Sequence, residues 1–329
     1  MISIAIAGTG MIVKEILPVL HQLNEINICA LCGTQRSTDT VNELCEKYEI
    51  PASYTNYKVM INDIADKKIS ADAVYIATPN NLHYDMAMTA INAGVNIFLE
   101  KPFVSNYTQA QNLIKAARDK KVYLLEAISN QYLPIYNELR VALPKVGEIK
   151  YVDCNFSQYS SKFDRFLSGE YFKVFDLKCD GGVLMDLNVY NIHMIAGLFG
   201  MPTAINYTPN IMRDVDTSGV LTLQYPNFIC TCTAAKDSQG PSRTLIQGTE
   251  GYLIIEAPAN SLDSPLMYYS TKDNSINEIY SPDNSHRMVW EFKELERILS
   301  SGAYEECLQR QDETLCVCKV LSEARQTLC

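Results

Sequence analysis

Short apolar runs at residues 2–7, 26–32, 73–77, 96–100 and 122–127 alternate with helical patterns at 41–48, 83–93 and 108–120. That alternation constrains the fold more than any other feature, because parallel strands can be joined only by crossover connections. It predicts repeated strand-helix units and a doubly wound parallel sheet. Sheets of this kind take ligands beyond the carboxyl ends of their strands, so the residues after each strand are where function is expected.

The pattern changes at about residue 128. An apolar helix over 132–143 and a strand-like stretch at 149–157 come first, and β-rich runs follow at 204–207, 219–224, 228–234, 243–248 and 252–256. Two helical segments, about 286–300 and 311–327, close the chain. The expectation is an α/β protein of two domains: residues 1–122 form the parallel sheet, and 123–329 an α/β domain with a large, mostly antiparallel open sheet. With 47% hydrophobic and 20% charged residues the composition is globular, and a net charge of −10 argues against a nucleic-acid partner. The 11 cysteines are an odd, scattered set, so reduced core thiols are expected. The one C-x-x-C, Cys29 to Cys32, has no second pair or histidine at zinc spacing, and no metal is expected. A strand from residue 2 leaves no room for a signal peptide, and no apolar run reaches membrane-spanning length. A cytoplasmic location away from membranes follows.

The first apolar run ends in Gly8-Thr9-Gly10-Met11-Ile12. Glycines here permit a tight turn and let backbone N–H groups approach a pyrophosphate, whose charge is favoured at a helix N-terminus. The third position of this fingerprint is Val13. After the second run, where a carboxylate would bind an adenosine ribose, the chain reads Gly33-Thr34-Gln35-Arg36-Ser37. Small polar groups with Arg36 suit a 2'-phosphate, so NADP is preferred over NAD. Two further ligand-facing strand ends carry Ala77-Thr78-Pro79-Asn80, followed by His83, and Glu100-Lys101-Pro102. Later, Gly181-Gly182 leads into a predicted helix on which Asp186 and Tyr190, four residues apart, share one face, with His193 about a turn beyond Tyr190.

In their order and spacing, the Gly-x-Gly turn, Thr-Pro-Asn-x-x-His, Glu-Lys-Pro and Gly-Gly-x-x-x-Asp resemble the glucose-fructose oxidoreductase and inositol dehydrogenase family, often called Gfo/Idh/MocA. The segment from His286 to Glu291, expected to be helical, is similar as well. The resemblance implies a Rossmann domain followed by an α/β domain whose open sheet makes a homodimer or a dimer-based oligomer. It also implies a sugar, polyol or similar small molecule as substrate, held between the domains. Lys101 would be the catalytic lysine, in a Lys101–Pro102 bond that can be cis, and Asp186 a carboxylate that orients substrate. Tyr190 matches the glucose-fructose oxidoreductase and dihydrodiol dehydrogenase branch, where a tyrosine serves as acid or base. Gln131 departs from that branch, which has an arginine there.

The chemistry of the residues agrees with this implication. Oxidising an alcohol needs a group that takes the hydroxyl proton while hydride leaves the same carbon. A tyrosine hydroxyl titrates near about 10 and needs a cation beside it to act at neutral pH, which Lys101 would supply. Lys101 could instead bind the developing alkoxide or carry the proton, and His193 is a third proton carrier. His83 is expected to cap or pack near the nucleotide, and Lys173, ahead of the Gly-Gly turn, to contact substrate. Against these expectations stands a nucleotide-binding regulator of the same fold without turnover.

Overall fold

The computed structural model describes residues 1–328. The chain forms two compact units, one of Met1–Ala127 with Met288–Leu315, the other of Ile128–Arg287 with the chain from Cys316 onward.

The first unit is built on six parallel strands, β1 (Ile2–Ala7), β2 (Ile26–Cys32), β3 (Ala52–Tyr54), β4 (Ala73–Ile76), β5 (Asn96–Glu100) and β6 (Leu124–Ala127), in the order β3-β2-β1-β4-β5-β6. The order reverses between β1 and β4, which opens a crevice at their carboxyl ends. Connecting helices are α1 (Met11–Leu20), α2 (Thr38–Lys47), α3 (Tyr57–Ala65), α4 (His83–Asn92) and α5 (Tyr107–Lys120). With both faces of the sheet covered, the strands are apolar throughout rather than alternating, and Ile4, Ala5 and Ile6 are all fully buried. Cys29 and Cys32 lie buried within β2, where burial pushes their thiols up to about 11 and about 12. Strand β6, which a boundary at residue 122 would assign to the second domain, pairs with β5 from Ile97–Leu124 to Glu100–Ala127.

The second unit opens with α6 (Ser129–Tyr132) and α7 (Pro134–Ala142), continues through β7 (Ile149–Ser157) and α8 (Phe163–Leu167), and reaches α9 (Val189–Phe199). Seven more strands follow: β8 (Ala204–Met212), β9 (Val215–Gln224), β10 (Ile229–Ala235), β11 (Arg243–Gly248), β12 (Gly251–Ile255), β13 (Leu266–Ser270) and β14 (Ile276–Tyr280). They form one sheet of eight in the order β14-β13-β12-β11-β7-β10-β9-β8, antiparallel except for the pair β7 and β10. Along β10, Cys230, Cys232 and Ala234 are buried while Ile229 faces outward. This period of two marks a sheet with one covered face. Helix α9, buried continuously from Val189 to Ala196, packs against β7 and β10.

Helix α10 (Val289–Ser301) belongs to the first unit, where Phe292 meets the rings of Tyr75 and Phe98 edge-on at 5.2 Å each. It begins three residues later than expected, with His286 and Arg287 outside it. The last helix, α11 (Tyr304–Arg325), begins seven residues before the expected start at 311. Its polar first turns are held by Arg118 of α5, which donates to Gln311 at 2.9 Å and to the Leu308 carbonyl at 3.1 Å. Among the described residues no helix is long and apolar enough to cross a membrane.

Candidate active site

In the first unit, β1 runs into Gly8, whose φ of +135° only glycine adopts readily. A Cβ at Gly8 would collide with the carbonyl of Ala77 after β4, so the two strand ends pass each other closely. Gly10 is the N-cap of α1, and a Cβ there would meet nothing within 4 Å. No side chain caps α1, and its first turn holds no acidic residue. This open, uncapped helix start at the sheet's crevice fits a dinucleotide pyrophosphate, which the backbone from Gly8 to Ile12 would hold. Met11 is exposed there, while Val13, in the third fingerprint position, is fully buried beneath the turn.

Beyond β2, the Gly33 N–H donates to the Tyr54 carbonyl at 2.9 Å, and Thr34 and Ser37 close a capping box around a 3-10 turn. A Cβ on Gly33 would press on Ser37 and Val41. Arg36 stands exposed on this turn, in no ion pair among the described residues. A side chain so placed suits the adenosine end of a nucleotide lying along the crevice.

Beyond β4, residues 77–80 lead through a 3-10 turn into α4 and His83. His83 is fully buried: Nδ1 lies 3.0 Å from the Pro102 carbonyl and Nε2 3.0 Å from that of Thr78. Burial holds its pKa below the ordinary value, so the ring stays neutral at physiological pH. With no surface for a ligand, His83 instead joins the two loops that follow β4 and β5. At the end of β5, Glu100 is buried and accepts a hydrogen bond from Tyr75. The next residue, Lys101, is partly exposed, and the Lys101–Pro102 peptide is cis.

In the second unit, Gly182 has a φ of +106° and lies against the Asp216 carboxylate, where a Cβ would overlap it. Asp216, wholly buried, accepts from the Leu184 N–H and from the Tyr207 hydroxyl, both at 2.8 Å. Burial raises its carboxyl above the ordinary range. The helix expected after the glycines begins as a π-turn, Leu184–Asn188, and becomes α-helical only at Val189. Asp186 and Tyr190 therefore sit on either side of a change in helical period. Asp186 is partly exposed and forms an ion pair with Lys236, a residue with no local spacing to announce it. Tyr190, 7% exposed, packs on Phe156 with ring centroids 6.1 Å apart, and its carbonyl accepts from Asn130 at 2.8 Å. Gln131 donates to the His193 carbonyl at 3.2 Å and so braces α9. His193 itself is fully buried and presents no surface to a substrate, and Lys173 is exposed on a 3-10 turn. Sequence reasoning missed Lys236, Asp216 and the amides of Asn188 and Asn191. Only Lys236 left a signal there, as a lysine directly after a buried strand.

A doubly wound sheet with a glycine turn at its switch point, joined in one chain to an open mixed sheet, defines a nicotinamide dinucleotide-dependent oxidoreductase. The model for the oxidoreductase family with NAD-binding Rossmann fold, GFO_IDH_MocA, matches residues 2–127, and that for the GFO/IDH/MocA C-terminal domain matches 140–254. The chain belongs to this family. It is 29% identical over 329 residues to scyllo-inositol 2-dehydrogenase (NADP(+)) IolU of Bacillus subtilis, covering 100% of this chain and 97% of that protein. It is 25% identical over 332 residues to trans-1,2-dihydrobenzene-1,2-diol dehydrogenase of Danio rerio, covering 98% and 97%. The crystal structure of KijD10, a 3-ketoreductase from Actinomadura kijaniata in complex with NADP and TDP-benzene, has a TM-score of 0.85 at 18% identity and covers 99% of this chain and 97% of that one.

Proposed function

We propose that this enzyme transfers hydride reversibly between NADP and a hydroxyl-bearing carbon of a sugar, cyclic polyol or similar small molecule. The observation that carries the reading is Lys101, partly exposed at the carboxyl end of β5 in a sheet whose other strand ends suit a dinucleotide. The inositol and dihydrodiol dehydrogenases among its relatives support the substrate class. The carboxylate-free turn with exposed Arg36 supports NADP over NAD.

When bound, the nicotinamide supplies the hydride acceptor. Tyr190 takes the proton of the reacting hydroxyl, and Lys101 stabilises the oxygen as it becomes an alkoxide. Asp186 accepts hydrogen bonds from neighbouring hydroxyls and so selects which carbon reacts. Lys173 contributes at most a peripheral contact from its exposed turn.

The test is the absorbance of reduced nicotinamide with a panel of aldoses and inositols. Lys101→Ala is expected to abolish turnover, and Tyr190→Phe to lower it by about a hundredfold or more. Turnover surviving in both variants would overturn the assignment. The exposed, apolar Val220 and Ile229 on β9 and β10 support a dimer formed through the open sheet, checked by light scattering of the purified protein. The free thiols of the ten described cysteines fit a reducing, cytoplasmic setting.

A further inference from the structure

Four fastenings among the described residues hold the π-turn bearing Asp186, and the start of α9 that follows it, to the second sheet. Three fastenings are neutral at the helix side: the Leu184 N–H on Asp216 at 2.8 Å, the Asn188 amide on the Cys232 carbonyl at 3.0 Å, and the Asn191 amide on the Thr233 carbonyl at 3.0 Å. The fourth joins two charges, Asp186 and Lys236. Lys236 follows β10, and its backbone is fixed on both sides, its N–H donating to the Thr217 carbonyl at 2.8 Å and its carbonyl accepting from Ser160 at 2.9 Å. Its side chain is 4% exposed and its ammonium lies 5.2 Å from the centre of the Phe175 ring, whereas the Asp186 side chain is 31% exposed.

The pair is therefore lopsided: the cation is dry and the anion faces outward. Burying an ammonium costs more than a partly solvated carboxylate returns, and an apolar side chain of similar length would serve stability equally well. What the lysine adds is direction. An ammonium anchored at its own backbone fixes one carboxylate oxygen and leaves the exposed side of the group preorganised to accept hydrogen bonds.

We propose that Lys236 is a positioning residue that keeps Asp186 aimed to accept hydrogen bonds from vicinal hydroxyls of a polyhydroxylated substrate. This rests on the sugar or polyol reading given above. Lys236 touches no reacting atom, so its loss falls on substrate binding rather than on hydride transfer or nucleotide binding.

The experiment compares Lys236→Met, Lys236→Arg, Asp186→Asn and the Lys236→Met/Asp186→Asn double variant, with myo-inositol and D-xylose as probes. Lys236→Met is expected to raise KM by about tenfold or more with a much smaller change in kcat and an unchanged Kd for NADPH. Lys236→Arg recovers most of the loss, and the double variant is no worse than either single one. An unchanged KM, a fall confined to kcat, or additive losses would overturn the proposal. If the wild type turns over neither probe, the substrate reading fails, and Lys236 is judged by the NMR signal of its ammonium, identified by its loss in Lys236→Met. In Asp186→Asn that signal is expected to exchange with water about tenfold faster. An ammonium signal indifferent to Asp186→Asn overturns the pairing and the proposal with it.

Discussion

The α-carbon of Gly8 faces the carbonyl of Ala77 so closely that no Cβ fits between them, and the Gly8 N–H in turn donates to the Cys32 carbonyl at 2.8 Å. Three strand ends are thus tied at one residue. Gly8→Ala must move backbone, not a flexible side chain, and must hold a positive φ as well. We expect a stability loss of about 1–3 kcal/mol in urea titration, with a weaker NADPH Kd by calorimetry. A Gly10→Ala variant, with open space at its Cβ, is expected to keep its stability and lose affinity alone. An equal stability loss in both would show that the close approach at Gly8 is not what matters.

Arg36 is expected to decide between the two nicotinamide dinucleotides. Arg36→Ala removes the cation from an exposed turn without touching the core, so kcat/KM with NADPH should fall about tenfold while that with NADH hardly changes. Thermal stability should stay at the wild-type value. A parallel fall with both cofactors would place the arginine elsewhere in the site.

His83 carries a pH signature. Its folded pKa lies below the unfolded value, so the unfolded chain binds the extra proton more readily as pH falls through about 6.5. The stability it permits is complete above the unfolded pKa and is lost as pH drops toward the folded one. Urea titrations at pH 7 and pH 5.5 should show the wild type losing stability over this interval. His83→Gln should lower stability at pH 7 but flatten the slope, and an unflattened slope would assign the acid sensitivity to other groups.

Asp216 acts in the opposite sense. Burial raises its carboxyl, so between the unfolded pKa of about 3.9 and the raised folded value the native state holds the proton better. Its contribution is therefore favourable at the acid end of that window and declines as pH rises through it. Oδ1 has no hydrogen-bond partner among the described residues, which adds to the cost of ionising the group. Asp216→Asn should retain the hydrogen bonds from Leu184 and Tyr207 through its amide oxygen and remove the decline. Stability curves of variant and wild type that stay parallel between pH 4 and 6 would refute this.

Much of the first unit was legible because buried parallel strands are uninterrupted apolar runs. Residues 2–7 and 26–32 coincide with β1 and β2, whereas the three residues of β3, half-buried at the sheet edge, leave no run to read. In the second unit β13 and β14 went unread, since Met267–Ser270 and Ile276–Glu278 stay partly or wholly exposed and carry no apolar alternation. The glycine turns, Lys101, Asp186 and Tyr190 were visible as local patterns. Which neighbours they have was not: Lys236 lies far along the chain from Asp186, and ion pairs between a strand end and a helix obey no spacing rule. Nor does a helical position tell a buried histidine from an exposed one, and His83 and His193 are both buried.

The pairing of β7 with β10 sets the order in which the second unit can assemble. These are central strands and run parallel, yet Tyr151 meets Thr231 across 80 residues of chain. During synthesis β7 leaves the ribosome with neither of its sheet neighbours made. It must wait while α9 and the β8-β9 hairpin emerge, because β10 and then β11 arrive last on its two sides. A nascent chain halted before residue 229 would therefore expose both edges of β7, and those edges are what a chaperone would find.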